Sequence, residues 1–412
     1  MARRRSILAF MRSTRKWLLR AVAVGVVLGA WIGAWVAGGT DGARGAVIGA
    51  VVLSIALMLL VAWVIVVSRL RRPAWVRVLL GVGVPVLVVA ALVLARLRLP
   101  PKETSRPVPA QSVPAANTWN ALAREYAPTL VFNRGELFVP IDRASYVDDT
   151  QLKESAPDGT ETMLDRHPTP QSLPTQSCQD VPGCYFLLDV TGAEPSPANR
   201  ASAHAYDSLE ERRLDRGGSR TVYARVTRYT DSGEYAIQYW FLYYFNYRLN
   251  EHESDWEHII IQLGPDKRPI NALYSAHLSG HVRPWGSVEH LGQTESPLVY
   301  VALGSHANYF RSGSYSVPTF CGHLKGRKIC YYENGVCDVA HGNARKIRRL
   351  TVGEGYQIRR LSGPVFSGNY GSGNYVLGKR HADKLTDPRT RTQWRDPLRP
   401  LQTGSGEKAR PC

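Results

Sequence analysis

Three long apolar runs open the chain, at residues 21–38, 46–67 and 78–95, and none of them contains Asp, Glu, Lys or Arg. Each run has about the ~20 residues that a helix needs to cross the hydrocarbon core of a bilayer. A cleaved signal peptide would account only for the first run, and no A-x-A cleavage site follows that run. The pattern therefore predicts three transmembrane helices that form a membrane anchor over residues 21–98.

Basic residues beside these runs predict their orientation. The first 20 residues contain seven Lys or Arg and the segment between the second and third runs contains four Arg, whereas the first connection has only Asp41 and Arg44. Because basic flanking segments stay in the cytoplasm, we expect a cytoplasmic basic tail at residues 1–20 and an exoplasmic C-terminal part. The sequence thus predicts a multi-pass protein of the plasma membrane.

The predicted spans themselves resemble an anchor more than a transporter, because no ionisable residue lies inside them. Gly25, Gly29 and Gly33 repeat every four residues and share one face of the first span. Small residues let helix backbones approach closely. This face therefore packs against the second span or joins copies of the chain into a homo-oligomer.

Beyond residue 98 the hydrophobic pattern changes to short alternating segments. Residues 99–117 form a Pro-rich linker, residues 117–126 predict a short helix, and strands are predicted at 221–229, 235–246, 255–263, 270–277 and 297–303. Short Gly/Pro turns between strands are typical of an antiparallel sandwich. We predict an exoplasmic, mainly antiparallel β-sandwich domain at 118–395, with a polar, Pro-rich insertion at 150–218 and a disordered tail at 396–412.

Charge argues against a nucleic-acid-binding protein. The chain has 51 Lys and Arg against 34 Asp and Glu, a formal charge of +17, but its first 100 residues contain only one acidic residue, Asp41. Most of the basic excess therefore belongs to the predicted anchor and not to one face of a folded domain. The 41 Arg against 10 Lys indicate a GC-rich genome, and hence a bacterial protein.

All six cysteines follow residue 170, in the part predicted to be exoplasmic. An even number of cysteines in an oxidising compartment predicts disulfides. Cys178 and Cys184 flank a Pro-Gly turn and form the predicted pair, whereas the pairing of the remaining four stays open. The alternative to disulfides is a zinc site, whose candidate ligands are Cys321, His323, Cys330 and Cys337.

The segment His-Glu-Ser-Asp-Trp-Glu-His at residues 252–258 is the main candidate for chemistry. Residues two apart on a strand share a face, so Asp255 and Glu257 point the same way, and His252 can fold back towards them. Two neighbouring carboxylates repel each other and lose hydration, which a divalent cation would relieve. Carboxylate-rich ligation favours Ca²⁺, Mg²⁺ or Mn²⁺. The alternative is a sheet end with solvated carboxylates.

Several motifs occur in an order that resembles the vacuolar protein sorting-associated protein 62 family. They are YAPTL at 126–130, YWF at 239–241, HESDWEH at 252–258, YSAH at 274–277 and VYVALGSHANY at 299–309. Ser254 stands where that family usually has glycine, and Tyr370 stands where tryptophan is expected. The family name implies trafficking in eukaryotes, but the three-span anchor lies outside the resemblance, so that role is not carried over.

A second resemblance, limited to one motif, is to the necrosis- and ethylene-inducing peptide-like cytolysins. Their heptapeptide carries His-x-x-Asp-Trp-Glu, matched here by residues 252–257. The resemblance implies a β-sandwich on which His252, Asp255 and Glu257 help to hold a divalent cation that engages lipid headgroups. A further Asp ligand of those proteins has no clear counterpart, and Asn246 is the nearest candidate.

Three further residues are candidates for the same site: Glu253, His277 and His306. Each histidine follows or ends a predicted strand, where it could serve the site or cap the strand by hydrogen bonding. We expect a membrane-anchored binding module whose cation recognises a lipid headgroup or glycan, because no dedicated nucleophile is visible. The alternatives are a metal-dependent hydrolase of phosphoesters or glycans, with His306 or Glu253 as base, and a structural envelope protein.

Overall fold

A computed structural model describes residues 108–178, 182–193, 200–248, 251–277, 279–324, 327–343, 349–376, 379–380, 385–402 and 412. These residues belong to one compact unit, Pro107–Cys412. The three predicted transmembrane helices and the Gly25, Gly29 and Gly33 face lie outside the described residues. Within the described ranges, no helix has both the length and the apolar character needed to cross a membrane.

Strands dominate the described chain. The helices are α1 Ala116–Glu125, α2 Arg143–Asp148, α3 Arg200–Asp215, α4 Thr392–Arg395 and α5 Arg399–Gln402, with 3-10 turns at Trp285–Ser287 and Pro388–Thr390. The strands are β1 Gln111–Ser112, β2 Thr129–Phe132, β3 Thr150–Ser155, β4 Glu161–Asp165, β5 Tyr185–Val190, β6 Thr221–Tyr229, β7 Tyr235–Asn246, β8 Glu251–Leu263, β9 Pro269–Ala276, β10 Ser279–Pro284, β11 Leu298–Val301, β12 Asn308–Tyr309, β13 Gly313–Leu324, β14 Arg327–Ala340, β15 Arg349–Leu350, β16 Gln357–Arg359, β17 Gly373–Val376 and β18 Lys379–Arg380.

The centre of the fold is the antiparallel run β6-β7-β8 of a nine-stranded sheet. Its strands are rich in aromatic and β-branched residues, which fit a pleated surface. The predicted strand bounds 221–229 and 235–246 are confirmed without change, whereas β8 begins at Glu251, four residues before the prediction. All residues of β7 and β8 are buried, because both faces of this part of the sheet are covered.

One face of the central sheet packs against a second sheet, of order β12-β11-β2-β15. Tyr239 and Phe241 on β7 share a hydrophobic core with Leu130 on β2 and Val299 on β11. The hydroxyl of Tyr239 also donates to the Ala123 carbonyl of α1, at 3.1 Å. This sandwich-like arrangement is mainly antiparallel, as predicted, but β2 pairs with β11 and β6 with β16 in parallel.

The opposite face is covered by the C-terminal segment, which differs from the sequence prediction. The composition of residues 396–402 predicts part of a disordered tail, yet Leu398 and Leu401 are buried against Tyr229 and Ile260. Only two apolar side chains carry this contact, in a segment rich in charge and proline. The composition of this segment therefore gives no indication that it packs against the sheet.

Two other boundaries also differ from the prediction. The polar, Pro-rich composition of the 150–218 segment gives no sign of regular structure, yet β3, β4 and β5 form a sheet of their own there and α3 follows them. This segment contributes Leu188 and Tyr206 to the main core. The predicted linker 99–117 contains β1, which pairs with β6, and the Gln111 side chain also donates to the Arg395 carbonyl at 2.8 Å.

Two disulfides lie among the described residues. Cys178 pairs with Cys184, which confirms the predicted bond. Cys337, near the end of β14, pairs with Cys412. Because Cys337 is committed to this bond, the four-residue zinc alternative loses one of its ligands.

Candidate functional site

The site begins where β8 loses its neighbour on one edge. β9 pairs with β8 only from Ile259 onwards, and β17 pairs with it only up to His252. Between these points other groups take over the hydrogen bonds: the Glu253 amide donates to the Ser372 carbonyl at 2.9 Å, and the His258 amide donates to the Ser275 hydroxyl at 2.8 Å. This gap brings polar side chains from distant segments to the motif at 252–258.

We call these side chains the β8 cluster, and their members share buried or nearly buried positions around the gap. The β8 cluster consists of Asn246, His252, Asp255, Glu257, Ser275, His277, His306, Asn308 and Asp338.

Asp255 lies at the centre of the β8 cluster. Its Oδ2 accepts a hydrogen bond from Asn246 Nδ2 at 3.3 Å and another from His306 Nδ1 at 3.0 Å. Asn246 is the candidate replacement for a missing acidic ligand, and the structure places its amide against the predicted ligand Asp255. This contact follows from the strand register, which pairs β7 with β8 up to Asn246 and His252.

His306 is completely buried and held from several sides. Its ring stacks on Tyr243, with centroids 3.9 Å apart and planes 5° apart, and its Nε2 lies 3.5 Å from Glu136 Oε1. Burial alone would lower the pKa of His306, but the charges of Glu136 and Asp255 and their hydrogen bonds raise that pKa to about 10. The surroundings of His306 therefore favour its protonated, positively charged form.

Glu136 organises the loop that carries His306. Its Oε1 accepts from the amides of Leu137 at 3.0 Å and Phe138 at 3.1 Å, and its Oε2 accepts from the Gly304 amide at 2.7 Å. Gly304 itself has a φ of +71°, and a Cβ there would come within 2.7 Å of the Tyr247 ring. Only glycine fits this turn, which delivers His306 to Asp255.

Glu257 occupies the next position on the same strand. Its Oε2 accepts a hydrogen bond from the Ser275 hydroxyl, which in turn accepts from Asn308 Nδ2 at 3.2 Å. Burial, and next the charge of Asp255, raise the pKa of Glu257 to about 8. Asp255 is therefore close enough for its charge to raise the pKa of Glu257, as the alternation along the strand predicts.

His277 and Asp338 form an ion pair at the edge of the β8 cluster. His277 Nε2 donates to Asp338 Oδ2 at 2.6 Å, and Asp338 also accepts from the hydroxyls of Ser305 and Tyr309, each at 2.7 Å. Burial alone would lower the pKa of His277, but Asp338 raises that pKa to about 9. Burial opposes ionisation of Asp338, but His277 and the two hydroxyls hold its pKa below the usual range.

His252 has a fixed tautomer. Its Nδ1 lies 2.6 Å from the carbonyl oxygen of Ser254, which can only accept, so Nδ1 carries the proton. Burial lowers the pKa of His252, which keeps the ring neutral. Nε2 then holds a lone pair, which is the state required of a metal ligand whose other nitrogen donates to a carbonyl.

Glu253 serves a different purpose from its neighbours. Its Oε1 lies 3.1 Å from the Val190 amide and 2.7 Å from the Tyr206 hydroxyl, and its Oε2 accepts from the Ser372 amide at 2.9 Å. These contacts tie β8 to β5, α3 and the segment before β17. The carboxyl is therefore engaged inside the fold and does not join Asp255 and Glu257.

Backbone strain is concentrated at the β8 cluster. Among the described residues, four that are not glycine have positive φ, and three of them are Ser254 at 53°, His277 at 51° and His306 at 53°. Such conformations cost about 1–3 kcal/mol each and gather at functional sites. The positive φ at position 254 accounts for the glycine expected there, because glycine adopts this φ without strain.

The predicted metal set is not assembled as it stands. Among the described residues, no three His, Cys, Asp or Glu side chains come close enough together to hold a metal ion. The set His252, Asp255 and Glu257 therefore stays a prediction. Sequence reasoning did not assign Glu136, Ser275, Asn308 or Asp338 to the site, although Ser275 and Asn308 lie within quoted motifs.

Comparisons with known proteins give only distant likenesses. No family model matches the chain, and no curated protein matches it. A solved structure described as a toxin fold for microbial attack and plant defense is 18% identical, covers 50% of this chain and 74% of its own, and has a TM-score of 0.27. The non-toxic HaNLP3 protein is 13% identical, covers 58% of this chain and 79% of its own, and has a TM-score of 0.25.

A third solved structure, NLPPya in complex with glucosamine, is 16% identical, covers 50% of this chain and 73% of its own, and has a TM-score of 0.23. These proteins belong to the group named by the weaker resemblance, the necrosis- and ethylene-inducing peptide-like proteins. No match supports the resemblance to the vacuolar protein sorting-associated protein 62 family. Likeness at this level assigns neither a family nor an activity.

Proposed function

We propose that this chain is a membrane-anchored binding protein whose β8 cluster holds one hard divalent cation, Ca²⁺, Mg²⁺ or Mn²⁺. Through that cation it would bind an anionic or polyhydroxylated ligand, such as a lipid headgroup or a glycan. The carrying observation is the burial of Asp255 and Glu257 side by side at the gap in the sheet. Two such carboxylates strongly favour a cation between or beside them.

Unpaired polar atoms support the fit of a cation. Asn308 Oδ1 and the Tyr243 hydroxyl are buried and have no hydrogen-bond partner among the described residues. Buried polar atoms are nearly always paired with protein, water or an ion. Ser275 donates to Glu257, so Asn308 must present Nδ2 to Ser275, which leaves the Asn308 carbonyl oxygen available. Amide and carboxylate oxygens are preferred ligands of Ca²⁺ and Mg²⁺.

Binding fits the β8 cluster better than hydrolysis does. The two candidate bases of a hydrolase are His306 and Glu253. His306 is 0% exposed and stacked on Tyr243, and Glu253 is engaged by three hydrogen bonds inside the fold. A general base has to reach the proton that it removes, and neither side chain reaches solvent.

The test is cation-dependent stabilisation of the full chain in detergent. A cation that binds only the native state at a hundredfold excess over its Kd stabilises by about 2.7 kcal/mol, which is roughly 5 °C in Tm for a domain of this size. Asp255→Asn and Glu257→Gln should each abolish the shift. Asp231→Asn, in an exposed turn, is the matched control and should keep it.

An absent shift in wild type, with both variants melting like it, would reduce the β8 cluster to an internal ion-pair network. Direct Mn²⁺ titration by electron paramagnetic resonance separates a missing site from a missing stability change. Glucosamine and mannosamine, found in complexes of similar solved structures, are suitable ligand probes. Their binding should require the cation and disappear in excess chelator.

Membrane anchoring is a separate part of the proposal and has its own test. A reporter that works only in the cytoplasm should be active when fused at residue 5 or within residues 69–77, and inactive after residue 110. Cytoplasmic activity after residue 110 would place the β8 cluster on the opposite side of the membrane from the one proposed.

A further inference from the structure

The last residues of β14 support the β8 cluster from three directions. These residues, Cys337, Asp338 and Val339, contact the segment after β7, the end of β9 and the loop after β11. Cys337 is also disulfide-bonded to Cys412. The C-terminal cysteine is thus covalently joined to the segment on which the site depends.

The first support runs through Arg248 to Asp255. Arg248 Nη2 donates to the Cys337 carbonyl, and the Arg248 amide donates to Asn246 Oδ1 at 2.9 Å. Asn246 Nδ2 in turn donates to Asp255 at 3.3 Å. A shift of Cys337 would therefore reach a predicted cation ligand through two intervening residues.

The second and third supports hold the histidine loops. Asp338 accepts from His277, Ser305 and Tyr309. The Val339 carbonyl accepts from the Leu303 amide at 2.9 Å. These contacts fix both the end of β9 and the turn that carries His306.

The Cys337–Cys412 bond spans 75 residues of sequence, with Cα atoms 6.0 Å apart. The Cys412 amide donates to the Ser314 carbonyl at 3.0 Å, on the strand that faces Cys337. Cys412 is exposed, and Cys337 is half-buried. A reductant can therefore reach this bond without unfolding the sandwich.

We propose that the Cys337–Cys412 disulfide is a redox-controlled clasp that holds the β8 cluster in its binding geometry. The predicted effect on cation binding rests on the proposed function, whereas the predicted effect on the structure around residues 337–339 does not. A dithiol reductant attacks one sulfur through its thiolate, forms a mixed disulfide, and then closes its own disulfide. Two electrons and two protons pass to Cys337 and Cys412, which become thiols, and the C-terminal cysteine is released from β14.

The Cys178–Cys184 bond supplies a matched control. It joins cysteines only six residues apart in sequence. No hydrogen bond among the described residues connects either cysteine to the β8 cluster. Removing it deletes a disulfide from the same domain without touching the supports at residues 337–339.

The experiment compares wild type, Cys412→Ser, Cys337→Ser/Cys412→Ser and Cys178→Ser/Cys184→Ser as full chains in detergent. Mn²⁺ is titrated and its free signal is followed by electron paramagnetic resonance. Hydrogen exchange of the Arg248 and Leu303 amides is measured in parallel. Both clasp variants should bind Mn²⁺ at least tenfold more weakly and exchange these amides at least tenfold faster, whereas the control pair should match wild type.

Unchanged exchange and unchanged Mn²⁺ affinity in the clasp variants would overturn the proposal. If wild type binds no Mn²⁺, the proposed function fails, and exchange at the two amides alone decides the clasp. If Cys412→Ser does not fold, the same measurements are made on folded wild type after dithiothreitol. Alkylation and mass spectrometry then identify which cysteines opened, and unchanged exchange in molecules with Cys337 alkylated again overturns the clasp.

Discussion

Replacing Glu253 tests whether its carboxyl stabilises the fold and takes no part in cation binding at the β8 cluster. Three donors point at its carboxyl: one oxygen accepts from the Tyr206 hydroxyl and from the Val190 amide, while the other accepts from the Ser372 amide. In Glu253→Gln, an NH₂ group at the Oε1 position cannot accept from the Val190 amide or from the Tyr206 hydroxyl. If the amide is turned over, the NH₂ group faces the Ser372 amide instead, and that backbone N–H loses its acceptor.

Either orientation leaves one buried backbone N–H without a partner, which costs about 1–3 kcal/mol. The loss should depend on pH. Burial, and next the charge of Asp189, raise the pKa of Glu253 from 4.5 to about 8. Between these values the folded wild type keeps a proton that the unfolded chain has released, so its stability falls as pH rises, by up to about 1.4 kcal/mol per pH unit. Glu253→Gln has no such proton.

Urea unfolding at pH 5, 6.5 and 8, followed by tryptophan fluorescence, measures both effects. We expect Glu253→Gln to be about 2 kcal/mol less stable than wild type at pH 5, with the difference disappearing before pH 8. Glu211→Gln, exposed on the same helix as Tyr206, should change neither quantity. Parallel pH profiles, or equal stability at pH 5, would refute the reasoning. At each pH the Mn²⁺ affinity of Glu253→Gln should equal that of wild type.

Three further changes test local features of the fold. Ser254→Gly should stabilise the domain by about 0.5–1 kcal/mol in urea unfolding, because the φ of 53° then carries no strain; a loss of stability would contradict this. Leu398→Ala should cost about 2–4 kcal/mol, since the side chain is 1% exposed, and a neutral result would mean that the C-terminal segment does not pack on the sheet. Cys337→Ser/Cys412→Ser should lower the stability by about 4 kcal/mol from loop entropy, whereas a loss below about 1 kcal/mol would show that the unfolded chain is already constrained.

The central strands are predictable because their pattern is local. The segments at 221–229 and 235–246 are dense in Tyr, Val, Ile and Phe and end at turn residues, so the chain itself marks their limits. The insertion and the C-terminal segment are not predictable for the opposite reason. A few apolar residues, such as Tyr206 and Leu398, are buried there among polar neighbours, and only the tertiary contacts reveal their partners.

The same distinction applies to the β8 cluster. Asp255 and Glu257 lie two residues apart on one strand, where alternation alone predicts that they share a face. His306 and Asp338 lie 51 and 83 positions beyond Asp255 in sequence, and only loop geometry brings them together. Alternation also gives no sign that Glu253, two residues before Asp255, is engaged by α3 instead.

The Ser275 hydroxyl supports the β8 cluster without being a candidate ligand, and its removal tests that supporting role. The Ser275 hydroxyl donates to Glu257, accepts from the His258 amide and accepts from Asn308 Nδ2, so one oxygen orients two candidate ligands. Such supporting contacts are typically worth about 10–100-fold in metal affinity. Ser275→Ala should therefore weaken Mn²⁺ binding by about that factor although it removes no ligand. Ser208→Ala, on the exposed side of α3, should leave it unchanged. Wild-type affinity in Ser275→Ala would mean that the hydroxyl competes with the cation for Glu257 as much as it positions the carboxylate.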